Sequence, residues 1–119
     1  MDLSKKYVSV KKDREFRYLF KKGRSIVNSA FVCYLRPTKR RVNRLGIVTS
    51  KKIGNAVKRS RARRVLREAF RLLEPQLRAD SDKRYDFILV ARGKTPYMKS
   101  DKLYTIMKKL ITEQIKQIS

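Results

Sequence analysis

The chain has 119 residues, 41% of them hydrophobic, which suits one domain around a single core and is too apolar for a disordered basic tail. Thirty-three Lys and Arg stand against ten Asp and Glu, and with no His the formal charge of +23 barely changes through the physiological range. Self-repulsion of that size points to a polyanionic partner, because each cation that meets a phosphate releases condensed counterions. Met1 to Lys6 lead into more charge rather than an apolar stretch, so no signal peptide is expected. The longest apolar runs, Phe31 to Leu35 and Phe87 to Ala91, are too short to span a bilayer. Cys33 is alone, which predicts no internal disulfide and a reducing, cytoplasmic setting. One Cys without any His leaves no zinc site.

Residues 1–12 read as an extended basic lead-in. Asp13 to Lys22 predicts a short helix, with Asp13 as N-cap, Phe16, Leu19 and Phe20 on one face, and Gly23 ending it. Residues 26–35 read as strand, whole or divided around Asn28-Ser29; Phe31, Cys33 and Leu35 point one way, Val32 and Tyr34 the other. Pro37 to Asn43 is a basic turn, Leu45 to Ser50 a strand, and Lys51 to Asn55 a glycine-containing loop. Val57 to Leu73 carries the longest helical pattern, its stripe formed by Ala62, Val65, Leu66, Ala69 and Leu73, with Pro75 just beyond the end. Asp80 to Arg84 is a polar loop, Tyr85 to Ala91 an apolar strand and Gly93 to Met98 another loop. Ser100 caps a closing helix whose stripe is Leu103, Ile106, Met107, Leu110 and Ile118. Neither a repeat nor a linker divides residues 1–119, so the expectation is a single α+β domain with helices on a small sheet.

The most informative segment runs from Ser50 to Glu68. Around a helix, Arg59, Arg61, Arg63, Arg64, Arg67 and Arg71 fill most of the circumference that the apolar stripe leaves, with Glu68 the only acid among them. Like charges four residues apart weaken an isolated helix by a few tenths of a kcal/mol each, and a merely solvated face would interleave glutamates. The pattern therefore predicts a phosphate-binding face, and the bias to Arg suits planar bidentate contacts.

This run resembles the signature of the bacterial ribonuclease P protein family, a basic glycine-asparagine-alanine-valine loop followed by an arginine-rich helix. Lys51, Lys52, Gly54, Asn55, Ala56 and Val57 match the loop; Arg59, Arg61, Arg63, Arg64 and Arg67 match the helix. Ser60 departs, since the family usually has asparagine there. Phe16 and Phe20 before Gly23, then Phe31 to Tyr34, and later Ile88 to Arg92, are similar to the family's first helix, first strand and last strand. The resemblance implies a two-layer α/β sandwich similar to the second domain of ribosomal protein S5. It implies the order α-β-β-β-α-β-α and a four-stranded sheet with a left-handed β-α-β crossover, against the usual right hand.

The function it implies is assistance to a catalytic RNA that removes the 5′ leader of precursor tRNA with Mg²⁺ and water. The metal is held through RNA, no cofactor is bound by protein residues, and one protein serves each RNA. By this resemblance Lys51, Lys52, Asn55, Arg59, Ser60, Arg61, Arg63, Arg64 and Arg67 bind RNA, mainly the catalytic subunit. Phe16, Phe20 and Tyr34 line a cleft for the single-stranded leader. From the residues alone, phenylalanines on one helix face are more often core; with the resemblance they become partly buried rings on which bases stack.

No catalytic residue is expected. Asp80, Asp82 and Asp86 lie in or beside one polar loop, the other acids are scattered, and no His can act as acid or base. No phosphate-cradling G-x-x-x-x-G-K-[ST] loop is present. The alternative is a structural, ribosomal-type RNA binder, which has no need of this loop joined to this helix or of an aromatic cleft. A DNA binder of the nucleoid type lacks support from groove-inserting features, and a membrane-surface module from large interfacial aromatics.

Overall fold

Short alternating apolar segments assemble a five-stranded mixed sheet in the computed structural model, which describes residues 7–118. The strands are β1 (Val8–Ser9), β2 (Arg24–Val27), β3 (Phe31–Thr38), β4 (Arg44–Val48) and β5 (Arg84–Ala91); the helices are α1 (Asp13–Lys22), α2 (Ala56–Asp80) and α3 (Ser100–Ile118). The spatial order is β1-β4-β5-β3-β2, with β4 parallel to β5 and to β1 and the remaining pairs antiparallel. β4, α2 and β5 thus form the expected β-α-β unit. No described helix is long and apolar enough to cross a membrane.

The two sheet faces are treated differently. Phe31, Cys33, Leu35, Phe87 and Leu89 are buried in one core cluster with Ala62, Leu66, Ala69, Phe70 and Leu73 of α2 and Leu103, Met107 and Ile111 of α3. Phe70 meets Phe87 and Tyr7 edge-on, each at 5.1 Å between centroids. Each such ring or branched chain contributes about 1.5–3 kcal/mol by leaving water. Among the described helices α1 alone, ten residues long, crosses the other face, its Leu19 buried with Val10 and Ile88. The register row Ser25, Tyr34, Ile88, Gly46 includes two residues packed with this smaller cluster. The neighbouring row, Val27, Val32, Val90 and Val48, has one exposed and three half-buried valines.

Several boundaries differ from expectation, each for a physical reason. The sheet has a fifth strand within the segment read as a lead-in: the Val8 and Val10 amides donate to the Asn43 and Leu45 carbonyls at 3.1 and 3.0 Å, between buried Tyr7 and Val10 side chains. Residues 1–6 of that segment lie outside the described residues. Asp13 is the first helical residue rather than the cap, a place where a carboxylate suits the positive helix end. Ser100 likewise opens its helix. The strand read over 26–35 divides because Asn28 Oδ1 accepts from the Ala30 and Phe31 amides, turning the chain into a hairpin. Pro37 belongs to β3; β2 pairs no further than Leu35, so Pro37 stands where that side of β3 is an open edge.

The largest difference is Pro75, which lies inside α2. An interior proline costs about 3 kcal/mol. Here it is exposed, while the surrounding turns are held from elsewhere. Buried Glu74 accepts from Asn43 Nδ2 at 2.8 Å and from Arg78 Nε at 2.7 Å, and Leu77 packs on the core. These contacts carry the helix through to Asp80.

Candidate nucleic-acid interface

The basic segment begins with backbone geometry. Gly54 has φ +135°, which side chains rarely adopt, and its carbonyl accepts from Arg59 Nη1 at 2.9 Å. Asn55 then caps α2, its Oδ1 accepting from the Lys58 amide at 3.0 Å. Asn55 therefore has a structural duty besides any contact with RNA. Ser50 caps the preceding turn, Lys51–Ile53, in the same manner, and leaves Lys51 and Lys52 exposed. No acid occupies the first turn of α2, so the positive helix end adds to these lysines.

Along α2 the arginines divide into two groups. Arg63 is half-buried, donating through Nη1 to Thr49 Oγ1 at 2.8 Å and through Nη2 to Ser60 Oγ at 3.2 Å. Ser60 thus takes the contact of a neighbouring arginine. Arg61, Arg64 and Arg67 are exposed, and among the described residues none forms an ion pair. The nearby acids are committed elsewhere: Glu68 to Arg71 at 2.9 Å and Glu74 to Arg78.

The aromatic residues gather on the open sheet face. Phe16 rests on Gly46, where an added Cβ would stand 2.5 Å from a ring carbon. Phe20 is 39% exposed and meets half-buried Tyr34 edge-on, centroids 4.9 Å apart. The valine row continues this surface, and β4 leads from Val48 into Thr49, the residue holding Arg63. Phe16, Arg63 and Arg67 also line one small cavity of about 130 Å³ with Gly46 and Ile47. The two residue sets read separately from the sequence therefore border each other.

Two groups of residues were not visible in the sequence. One is the valine row, drawn from four strands. The other is buried Arg44, which donates to both oxygens of Asp86 at 2.8 and 3.0 Å and also to Glu15. That hydrogen bond holds the Glu15 carboxyl below its usual range. Asp86, read beside a polar loop, is instead buried within β5. No group of three acidic or cysteine side chains able to hold a metal occurs among the described residues.

A family model for ribonuclease P matches residues 4–114 of the chain. The chain belongs to the ribonuclease P protein family. The ribonuclease P protein component of Thermoanaerobacter sp. (strain X514) is 38% identical over 109 residues, covering 92% of this chain and 90% of the relative. That of Shouchella clausii (strain KSM-K16) is 46% identical over 90 residues, covering 75% and 70%. In structure, a Staphylococcus aureus RNase P protein mutant described as having defective mRNA degradation activity aligns with TM-score 0.73 and 31% identity. The match covers 89% of this chain and 86% of that one. The α+β architecture, with its mixed sheet and three helices, is that of ribonuclease P proteins.

Proposed function

We propose that this ribonuclease P protein is the subunit that binds the catalytic RNA and the single-stranded 5′ leader of precursor tRNA, one protein per RNA, in the cytoplasm. The observation that carries the proposal is the junction at Phe16, where an arginine helix without matching acids borders an open aromatic and valine surface. Leader phosphates lie along Arg63 and Arg67, which line the cavity beside Phe16, while bases stack on Phe20 and Tyr34. Base stacking on aromatic rings contributes about 1–3 kcal/mol per base with little sequence preference, as many different leaders require. Lys51, Lys52, Arg59, Arg61 and Arg64 serve the catalytic RNA, with Asn55 and Ser60 setting the helix start and the Arg63 position.

Cleavage belongs to the RNA in this reading. The chain has no His and no metal-binding group of acids among the described residues, so Mg²⁺ is held by RNA phosphates. The direct test reconstitutes the protein with the organism's own ribonuclease P RNA and compares precursor tRNA with and without its leader. Tighter binding of the leader-bearing precursor is expected, weakening as salt rises. Equal affinity for both precursors would remove the leader from the proposal.

A further inference from the structure

The most exposed aromatic ring among the described residues stands beside the start of α2. Tyr97 is 64% exposed and Val57, at the first turn of α2, is 70% exposed. Both stand at or beside the first turn of α2, where Lys58 reaches the Tyr97 ring. The turn carrying Tyr97, Thr95–Tyr97, is rigidly built. Thr95 is fully buried, its hydroxyl donates to the Ala30 carbonyl and accepts from the Arg92 amide, and Pro96 beside it is buried. The Tyr97 amide donates to the Lys94 carbonyl at 3.1 Å. The backbone that carries the ring is therefore fixed before any ligand arrives, which lowers the ordering cost of binding.

Charge identifies the ligand. Lys58 Nζ lies 5.6 Å from the Tyr97 ring centroid. From Val57 the outer side of α2 continues through Ser60, Arg61 and Arg64, which line an open hollow of about 420 Å³. Arg61 and Arg64 are exposed and have no ion pair among the described residues. Arg63 and Arg67 instead line the Phe16 cavity, so α2 has two basic sides. An apolar protein partner would leave these cations desolvated and unpaired, whereas RNA supplies a planar base for the ring and phosphates for the cations.

We propose that Tyr97, with Val57, Lys58, Arg61 and Arg64, is a second RNA-contact site, which stacks an unpaired base of the catalytic RNA and holds its flanking phosphates. It rests on the functional reading above. The test measures binding of the protein to its own ribonuclease P RNA over a salt series, followed by holoenzyme affinity for precursor tRNA. Tyr97→Ala should weaken binding to the catalytic RNA about tenfold with the salt slope unchanged, since a stacked base and no phosphate contact is lost. Tyr97→Phe should bind as the parent does. Lys58→Gln should lower the slope by about 0.7–0.9. The affinity ratio between leader-bearing and leaderless precursors should stay unchanged in all three.

If Tyr97→Ala fails to fold, Tyr97→Leu keeps the apolar bulk without the planar ring, and should show the same tenfold loss. Parent-level binding by the folded Ala or Leu variant overturns the proposal, as does a loss confined to the leader-bearing precursor. A change in self-association with unaltered RNA binding would assign the ring to a second copy of the chain, again against the proposal. Failure of the unmodified protein to bind this RNA would count against the functional reading itself, which keeps the two outcomes distinct.

Discussion

Phe20 and Phe31 carry the same side chain at opposite ends of the burial range, 39% and 0% exposed, and the difference sets what each can do. Truncating a fully buried phenylalanine costs about 3–5 kcal/mol through lost transfer energy and a cavity. Phe20→Ala should cost nearer 1 kcal/mol in urea unfolding, because much of the ring is already in water. Its larger effect is expected in the holoenzyme, as about 1–3 kcal/mol lost in binding leader-bearing precursor and little lost without the leader. An equal loss for both precursors would make the ring structural. Glu15 supplies a pH test at the same scale. Its carboxyl lies below the ordinary value of 4.5 through its hydrogen bond from Arg44. A depressed carboxylate pKa stabilises the fold above the unfolded value, and that contribution disappears as pH falls through the folded one. Glu15→Gln should therefore flatten the loss of stability as pH falls below the ordinary carboxylate value of 4.5, measured by urea midpoints. A parent-like acid limb in the variant would place the acid sensitivity elsewhere.

Helix α2 joins the two surfaces, and its substitutions separate folding from binding. Asn55→Ala should cost about 1 kcal/mol of stability by removing the cap on the Lys58 amide. Arg67→Ala should leave the unfolding midpoint nearly unchanged and lower the salt slope of RNA binding by about 0.7–0.9. Arg63→Ala should lower the slope equally, with an added stability loss of about 0.5–1.5 kcal/mol from its bonds to Thr49 and Ser60. An unchanged slope in both would exclude these arginines from phosphate contact. Much of this helix was legible because a local period governs it: Ala62, Leu66, Ala69 and Leu73 are buried as their spacing implies. Phe70 escaped that stripe yet is fully buried, since α2 packs against both the sheet and α3. Pro75 misplaced the helix end because its local penalty is offset by distant Asn43 and by core packing. The strand parity of Tyr34 was also legible, but the valine row was not. Its members are up to 63 positions apart and become neighbours only through strand pairing, which no local period encodes.

At the scale of the whole molecule, a formal charge of +23 meets few acids, and several of those are committed to internal structure. Glu15 and Asp86 serve Arg44, Glu74 joins Asn43 to Arg78, and Glu68 pairs with Arg71. The exposed acids among the described residues, Asp13, Asp80, Asp82, Asp101 and Glu113, are far outnumbered by Lys and Arg, so the folded chain repels itself more strongly than the expanded one. Added salt screens charges separated by more than about 10 Å near 0.1 M, while leaving the short, partly buried pairs largely intact. Raising sodium chloride from about 0.05 to 0.3 M should therefore raise the thermal midpoint of the free protein, although surface salt bridges alone would predict a fall. The same salt should weaken RNA binding, because each counterion released into more concentrated salt gains less entropy. Stability of the free protein and affinity for RNA should thus move in opposite directions along one salt axis. Two measurements check this: calorimetric midpoints of the RNA-free protein, and dissociation constants of its complex with ribonuclease P RNA across the same series. A midpoint that falls with salt would mean attractive pairs outweigh the net repulsion. Affinity indifferent to salt would mean that phosphates are not what the arginine helix meets.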